Sequence, residues 1–443
     1  MDINIRDWTF THWWVRPTVK IWFEIYHKSV TYSGVENINW QNPIIFAPSH
    51  RNAFSDALCI ILPTKYTEKR FIYPLIRADA FGNSKAIDWM LTVFHMMPVY
   101  RPRDNVNIIK KNKSVFSHCY NILAQKRNLL IHPEGNCIPE KRVRYFKKGM
   151  ARIAFGAEKT YNFDLGVDII PVGINYREII EPRQGIHVRY GAPIRVSDFS
   201  DIYRKNAAAG IKELTKTVRE RVQSLTVDIR SKKYYALYDE LMTVHKNWNP
   251  EFYRKSVYNF EELLVNQQIV QSLKKKSAQK RKFAARTSEQ FGMLKTLLGD
   301  HNLSINHSLR SDQTPVGFIF EGLIYLILFP VFCYGWLNSI IPWFLIHKLA
   351  DQVDELQFKS SARMTLGLIL FPLSYFLQTL IVFLASGHGI WAILYLVSIP
   401  FCGVLALNWW ENFQDWRQRL RIFKLPASVR QKLDRMIGNF FSE

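Results

Sequence analysis

PIIFAPSHRNAFSD, residues 43–56, sets an apolar run of strand length in front of a histidine and then a carboxylate. Ile44, Ile45, Phe46 and Ala47 do not alternate with polar residues, so the run fits a strand covered on both faces. Comparable runs recur downstream as RFIYPLI (70–76), NLLIHPEG (128–135), DIIPVGINY (168–176) and IHVRYGAPI (186–194), and a shorter one opens MPVYRPRD (97–104). Between them, residues 52–62, 84–95, 107–126 and 147–160 have helical spacing or length. Strands alternating with helices predict an α/β fold, a mostly parallel sheet with flanking helices. In such a sheet, chemistry gathers at loops beyond the carboxyl ends of strands. His50 falls at such an end.

A histidine followed by a carboxylate is what a general base requires. The carboxylate holds one imidazole nitrogen protonated and favours the imidazolium formed during proton transfer. On one regular helix, six positions would set His50 and Asp56 about 120° apart around the axis. The pairing therefore requires His50 in the turn before a helix and Asp56 near that helix's start. Taken alone, a His and an Asp at this spacing more often serve structure. Further along, Arg101 and Arg103 follow the short run at 97–99, and HPEGNC (132–137) places Glu134 and Gly135 at another strand end. A guanidinium binds phosphate through paired charge-assisted hydrogen bonds. Glycine lets backbone approach a substrate closely. Lys141, Arg142, Arg144, Lys147 and Lys148 come next, bases that meet phosphates or simply solubilise the surface. Cys137 lacks a dedicated base and reads as a bystander, and His132 as a packing residue that could also line a pocket.

Taken in order, His50 to Asp56, Pro98 to Arg101, HPEG at 132–135 and IIPVG at 169–173 resemble the four motifs of the glycerolipid acyltransferase family. That family includes glycerol-3-phosphate and 1-acylglycerol-3-phosphate (lysophosphatidate) acyltransferases. The likeness covers roughly residues 30–200, including the KGMARIAFGA stretch (148–157). It implies direct acyl transfer from acyl-CoA or acyl carrier protein to a phosphorylated glycerol acceptor, with no cofactor, no metal and no covalent enzyme intermediate. By the same resemblance His50 takes the proton from the acceptor hydroxyl and Asp56 orients it. Arg101 binds the phosphate, Glu134 and Gly135 shape the acceptor pocket, and Pro171 belongs to a structural or acyl-side wall. Two departures stand out. Five residues separate His50 from Asp56 where four are usual, a spacing shared by members resembling fungal glycerol-3-phosphate and dihydroxyacetone-phosphate acyltransferases. Asn136 and Cys137 stand where Thr-Arg-Ser often follows, so Arg103 or Lys141 is expected to replace the missing arginine. These features favour a glycerol-3-phosphate O-acyltransferase making lysophosphatidate in phospholipid biosynthesis. Lysophosphatidate or dihydroxyacetone phosphate is the alternative acceptor, and a catalytically silent membrane scaffold the alternative of another class.

The remaining sequence points to a membrane. A formal net charge of +22 calls for an anionic partner, and membrane lipid fits better than nucleic acid because residues 315–411 hold long apolar runs. Residues 364–385 and 389–410 are each about a bilayer long, carry no charge, and read as a transmembrane hairpin joined at SGHG (386–389). Residues 315–346 contain one charge, Glu321, and two prolines, Pro330 and Pro342, which predict a bent or re-entrant helical hairpin. Basic flanks at Lys359, Arg363, Arg417, Arg419, Arg421 and Lys424 predict an integral membrane protein with its catalytic domain on the cytoplasmic face. The expected divisions are an interfacial N-terminal segment (1–35), the acyltransferase domain (36–230), a charged helical linker region (231–314), membrane hairpins (315–411) and a basic tail (412–443). The first of these is aromatic and basic without a continuous apolar stretch, so it is expected to lie on the membrane; an ordinary first helix is the alternative. The five scattered cysteines suggest neither a disulfide framework nor a zinc site.

Overall fold

The apolar runs at 44–48, 72–76, 97–99, 128–131 and 168–176 form strands in the computed structural model. It describes residues 10–63, 71–82, 84–100, 108–253, 257–280, 282–311 and 313–441. The strands are β1 (Ser29–Ser33), β2 (Ile44–Pro48), β3 (Ile72–Arg77), β4 (Met97–Val99), β5 (Asn128–Ile131), β6 (Asp168–Tyr176), β7 (Gly185–Tyr190) and β8 (Ile194–Arg195). They form one sheet in the order β1-β7-β6-β2-β5-β3-β4, with β8 paired to β6. From β6 across to β4 every pairing is parallel, while β7 and β8 run antiparallel to β6. The mostly parallel α/β fold expected from the sequence is therefore present. β2 lies between β5 and β6, and all five of its residues are buried, which explains why its sequence does not alternate.

The helices in chain order are α1 (Phe10–His27), α2 (Ser55–Ile61), α3 (Lys85–Val93), α4 (Ile108–Ala124), α5 (Gly149–Thr160), α6 (Ser200–Lys205), α7 (Ala207–Ser224), α8 (Tyr235–Trp248), α9 (Pro250–Tyr253), α10 (Phe260–Gln279), α11 (Phe283–Asp300), α12 (Pro315–Ala350), α13 (Leu356–Ser386), α14 (Gly389–Lys424) and α15 (Ala427–Phe441). Two compact units emerge. The first comprises residues 1–228, 258–263 and 356–361; the second holds 229–257, 264–355 and 362–443. In the first unit, α4, α5 and α7 bury Val115, Ile122, Met150, Phe155, Leu214 and Val218 with Ile45, Leu129 and Ile169 of the sheet. A Cβ at Gly156 would lie 2.0 Å from the Tyr120 hydroxyl, so glycine there lets the Tyr120 ring of α4 lie against α5. α1 buries Val15, Val19, Phe23 and Tyr26 and leaves Trp14 and Ile21 exposed. The four buried residues fall on one helical stripe. Arg16 donates to the Ile61 and Leu62 carbonyls at 2.6 and 2.7 Å, satisfying orphan acceptors at the end of α2.

Among the described residues, three helices, α12, α13 and α14, are long and apolar enough to cross a membrane. The hairpin expected within 315–346 is absent: α12 is one continuous helix of 36 residues despite Pro330 and Pro342. Each proline removes one backbone hydrogen bond, whereas a reversal in an apolar setting would expose many unpaired groups. α12 and α14 run side by side and antiparallel. Phe318 meets Phe423, Glu321 pairs with Arg419, Tyr325 packs on Phe413, and Tyr334 bonds Ser398. Polar contacts tie in α13, whose Gln378 donates to the Asn338 carbonyl at 2.9 Å and accepts from Tyr395 at 3.2 Å. Such bonds hold apolar helices together where water cannot compete. Because the start of α12 lies beside the end of α14, flanking residues there should share one side of a bilayer. Single cysteines at Asn306 and Ser428 in closed vesicles are expected to react together with a membrane-impermeant maleimide; labelling of one from each side would contradict the antiparallel pair.

Candidate active site

The parallel neighbours β5, β2 and β6 end at one edge of the sheet, and that edge collects His132 and Glu134, His50 and Asp56, and Tyr176. After Pro48 the ladder continues one residue further: Ser49 N donates to the Val172 carbonyl at 3.0 Å, and Ser49 Oγ accepts from Ile174 N at 3.1 Å. The chain then leaves the sheet at His50 and re-enters regular structure at Ser55, with Asp56 in the first turn of α2. This is the arrangement the spacing demanded.

Asp56 is fully buried and draws the loop around itself. Its Oδ2 accepts from His50 Nδ1 at 2.9 Å, Arg51 N at 2.7 Å and Asn52 N at 2.9 Å. Its Oδ1 accepts from the Tyr176 hydroxyl at 2.6 Å. A carboxylate that already receives two amide protons accepts the third from Nδ1–H, which leaves His50 Nε2 with the lone pair. The His50 side chain keeps 13% exposure while that of Asp56 has 0%, so the pair opens to substrate on the histidine side. Burial, reinforced by Asp56, pushes the Tyr176 hydroxyl well above its usual range, so it remains a donor.

Glu134 holds the loop from the other direction. Its Oε1 accepts from His50 N at 3.0 Å and its Oε2 from Arg144 Nε at 2.8 Å. Gly135 adopts φ +76°, closing the turn in which its N–H reaches the His132 carbonyl at 3.1 Å. Lys141, expected near phosphate, is buried and its ammonium donates to the Arg177 carbonyl at 2.6 Å. Arg101 and Arg103 lie outside the described residues. Pro171 lies in β6 opposite Ala47 and lines, with Arg189, Arg221 and Leu225, a cavity of about 470 Å³ to which neither His50 nor Asp56 contributes. Burial, with Asp56 adding to it, pushes the Cys137 thiol far up, which removes it as a nucleophile.

Several functional partners had no sequence signal. Tyr176 ends a strand read only as core. Arg144 was one of five interchangeable bases. Ser361, at the head of α13, donates to Asn52 Oδ1 at 3.1 Å and accepts from Phe54 N at 3.1 Å, bracing the His50–Asp56 loop from 309 residues away. Atoms of His50, Asp56 and His132 that could ligate a metal lie within 4.8 Å of one another. The Asp56 oxygens, however, already accept four protein donors, a donor set suited to orienting a histidine.

Residues 29–175 match the acyltransferase family model. Among solved structures, the 1-acyl-sn-glycerophosphate (LPA) acyltransferase PlsC from Thermotoga maritima is similar at 17% identity and a TM-score of 0.35, over 50% of this chain and 83% of that one. No curated protein matches the chain. If Asp56 orients the base, Asp56→Asn should lower turnover about 10³-fold or more. Tyr176→Phe, which removes one donor of four, should lower it about tenfold. Equal turnover in wild type and Asp56→Asn would show that the carboxylate has no part in the reaction.

Proposed function

We propose, from the match of residues 29–175 to the acyltransferase family model, that the chain is a glycerol-3-phosphate O-acyltransferase of the glycerolipid acyltransferase family. The observation that carries the reading is the His50–Asp56 pair, with Nδ1 held at 2.9 Å and Nε2 left to accept a proton. His50 Nε2 takes the proton of the acceptor hydroxyl as its oxygen attacks the thioester carbonyl. The tetrahedral intermediate collapses, the carbon–sulfur bond breaks, and the imidazolium returns its proton to the departing thiolate. Acyl-CoA or acyl carrier protein is the donor, and lysophosphatidate the product for phospholipid biosynthesis.

Three features support the finer assignment. The five-residue gap between His50 and Asp56 and the apolar C-terminal helices favour the first glycerol position over lysophosphatidate. Arg101, Arg103 and Lys141 supply positive charge for the phosphate, with Glu134 and Gly135 fixing the loop beside it and Pro171 the acyl-side wall. Lys141 acts there by its charge, since its ammonium is anchored on a backbone carbonyl. The basic run in the last turns of α14 (Arg417, Arg419, Arg421 and Lys424) favours a cytoplasmic position for that end. The antiparallel α12–α14 pair carries the chain before α12 to the same side. Trp14 and Ile21, exposed on α1, suit a segment lying at the membrane surface.

The test is labelled acyl transfer by purified protein offered glycerol-3-phosphate, dihydroxyacetone phosphate and lysophosphatidate separately, with either donor. Preferential acylation of glycerol-3-phosphate is expected. Activity on lysophosphatidate alone would move the enzyme to the second acylation, and no transfer to any acceptor would favour a silent scaffold.

A further inference from the structure

His132 is the side chain at this edge whose chemistry the reaction leaves unused. It follows β5 directly, in the place before Pro133, Glu134 and Gly135. Its ring lies face to face with that of His50, centroids 3.9 Å apart and planes inclined by 21°. Both of its nitrogens are buried and without a hydrogen-bond partner among the described residues. An imidazole held this way is costly, because its polar atoms have lost water and gained nothing. An apolar side chain would fill the same space without that cost, so packing alone does not explain a histidine ring here.

We propose that His132 is a positioning residue for His50, an uncharged ring that fixes the plane of the base and supports the imidazolium through its π face. The proposal rests on the reading of His50 as the base. The Asp56 bond fixes one edge of the His50 ring but leaves its plane free to rock about that bond; a stacked neighbour removes this freedom. Two stacked imidazoles cannot both hold a proton, and burial together with the charge of His50 pushes His132 well below the usual histidine range. His132 therefore stays neutral when His50 is protonated, and an aromatic face over a cation is attractive. The other titratable groups around the pair come from separate elements: Asp56 on α2, Tyr176 on β6, Glu134 and Cys137 on the loop after β5, and Arg51 and Arg144 beside them. Their charges are the same in any His132 variant, so a change in pH profile reports the stack.

The sign follows from which form the stack favours. Removing a group that stabilises the protonated base moves the acid limb of the kcat profile to lower pH. In the full-length protein, His132→Leu is expected to lower kcat about tenfold, leave KM for the acceptor unchanged and shift the acid limb down. His132→Phe, which keeps an uncharged ring, should retain kcat within about threefold of wild type and leave the limb in place. The Phe variant should also melt no lower than wild type, so a Leu variant that misfolds would leave the Phe comparison standing. Loss in both variants with a raised KM would overturn the proposal and make His132 a hydrogen-bonding residue for substrate. A Leu variant with wild-type kcat and pH profile would overturn it as well. His50→Gln, run alongside, separates the two levels: full activity there would remove the base itself, whatever the His132 variants do.

Discussion

The architecture at the active edge depends on one buried carboxylate. Asp56 accepts the His50 imidazole, two backbone amides of the same loop and the Tyr176 hydroxyl of the neighbouring strand. A charge buried this deeply persists only where its oxygens are fully bonded. Here the four donors come from two separate parts of the chain, and the acceptor from a third. The parallel pairing of β2 with β6 delivers Tyr176, the turn after β2 delivers His50 and the amides, and α2 delivers the carboxylate itself. Loss of any of these would leave Asp56 underbonded, and the histidine would lose its orientation with it.

Around that centre, the His50 loop is held by side chains from other parts of the chain. Glu134 spends one oxygen on the His50 amide and the other on Arg144. Ser361 braces Asn52 and Phe54. Such supporting bonds hold a base within a fraction of an ångström of its working position.

Much of this was legible in the sequence. β2, β3, β5 and β6 were visible as unbroken apolar runs, since a central parallel strand is covered on both faces. His50 and Asp56 stood out because a strand end precedes one and a helix start carries the other. β1 was not legible: SVTYS (29–33) is half-buried at the sheet edge and carries no apolar run. Tyr176 and Ser361 were silent because their partners lie 120 and 309 residues away, and nothing local marks them. The two prolines of α12 misled for a physical reason. In water they would end a helix, but among apolar neighbours the unbroken helix costs less than a turn. The packing of α12 along α14 was likewise not legible, since side-chain pairing such as Glu321 with Arg419 is invisible to hydropathy.

The most direct test is the acyl-transfer rate of His50→Ala, measured on protein that melts as wild type does and in the same lipid. If His50 is the base, the rate should fall about 10³-fold or more with acceptor binding largely retained. A variant within a few-fold of wild type would contradict the assignment of His50, and with it the role given to Asp56.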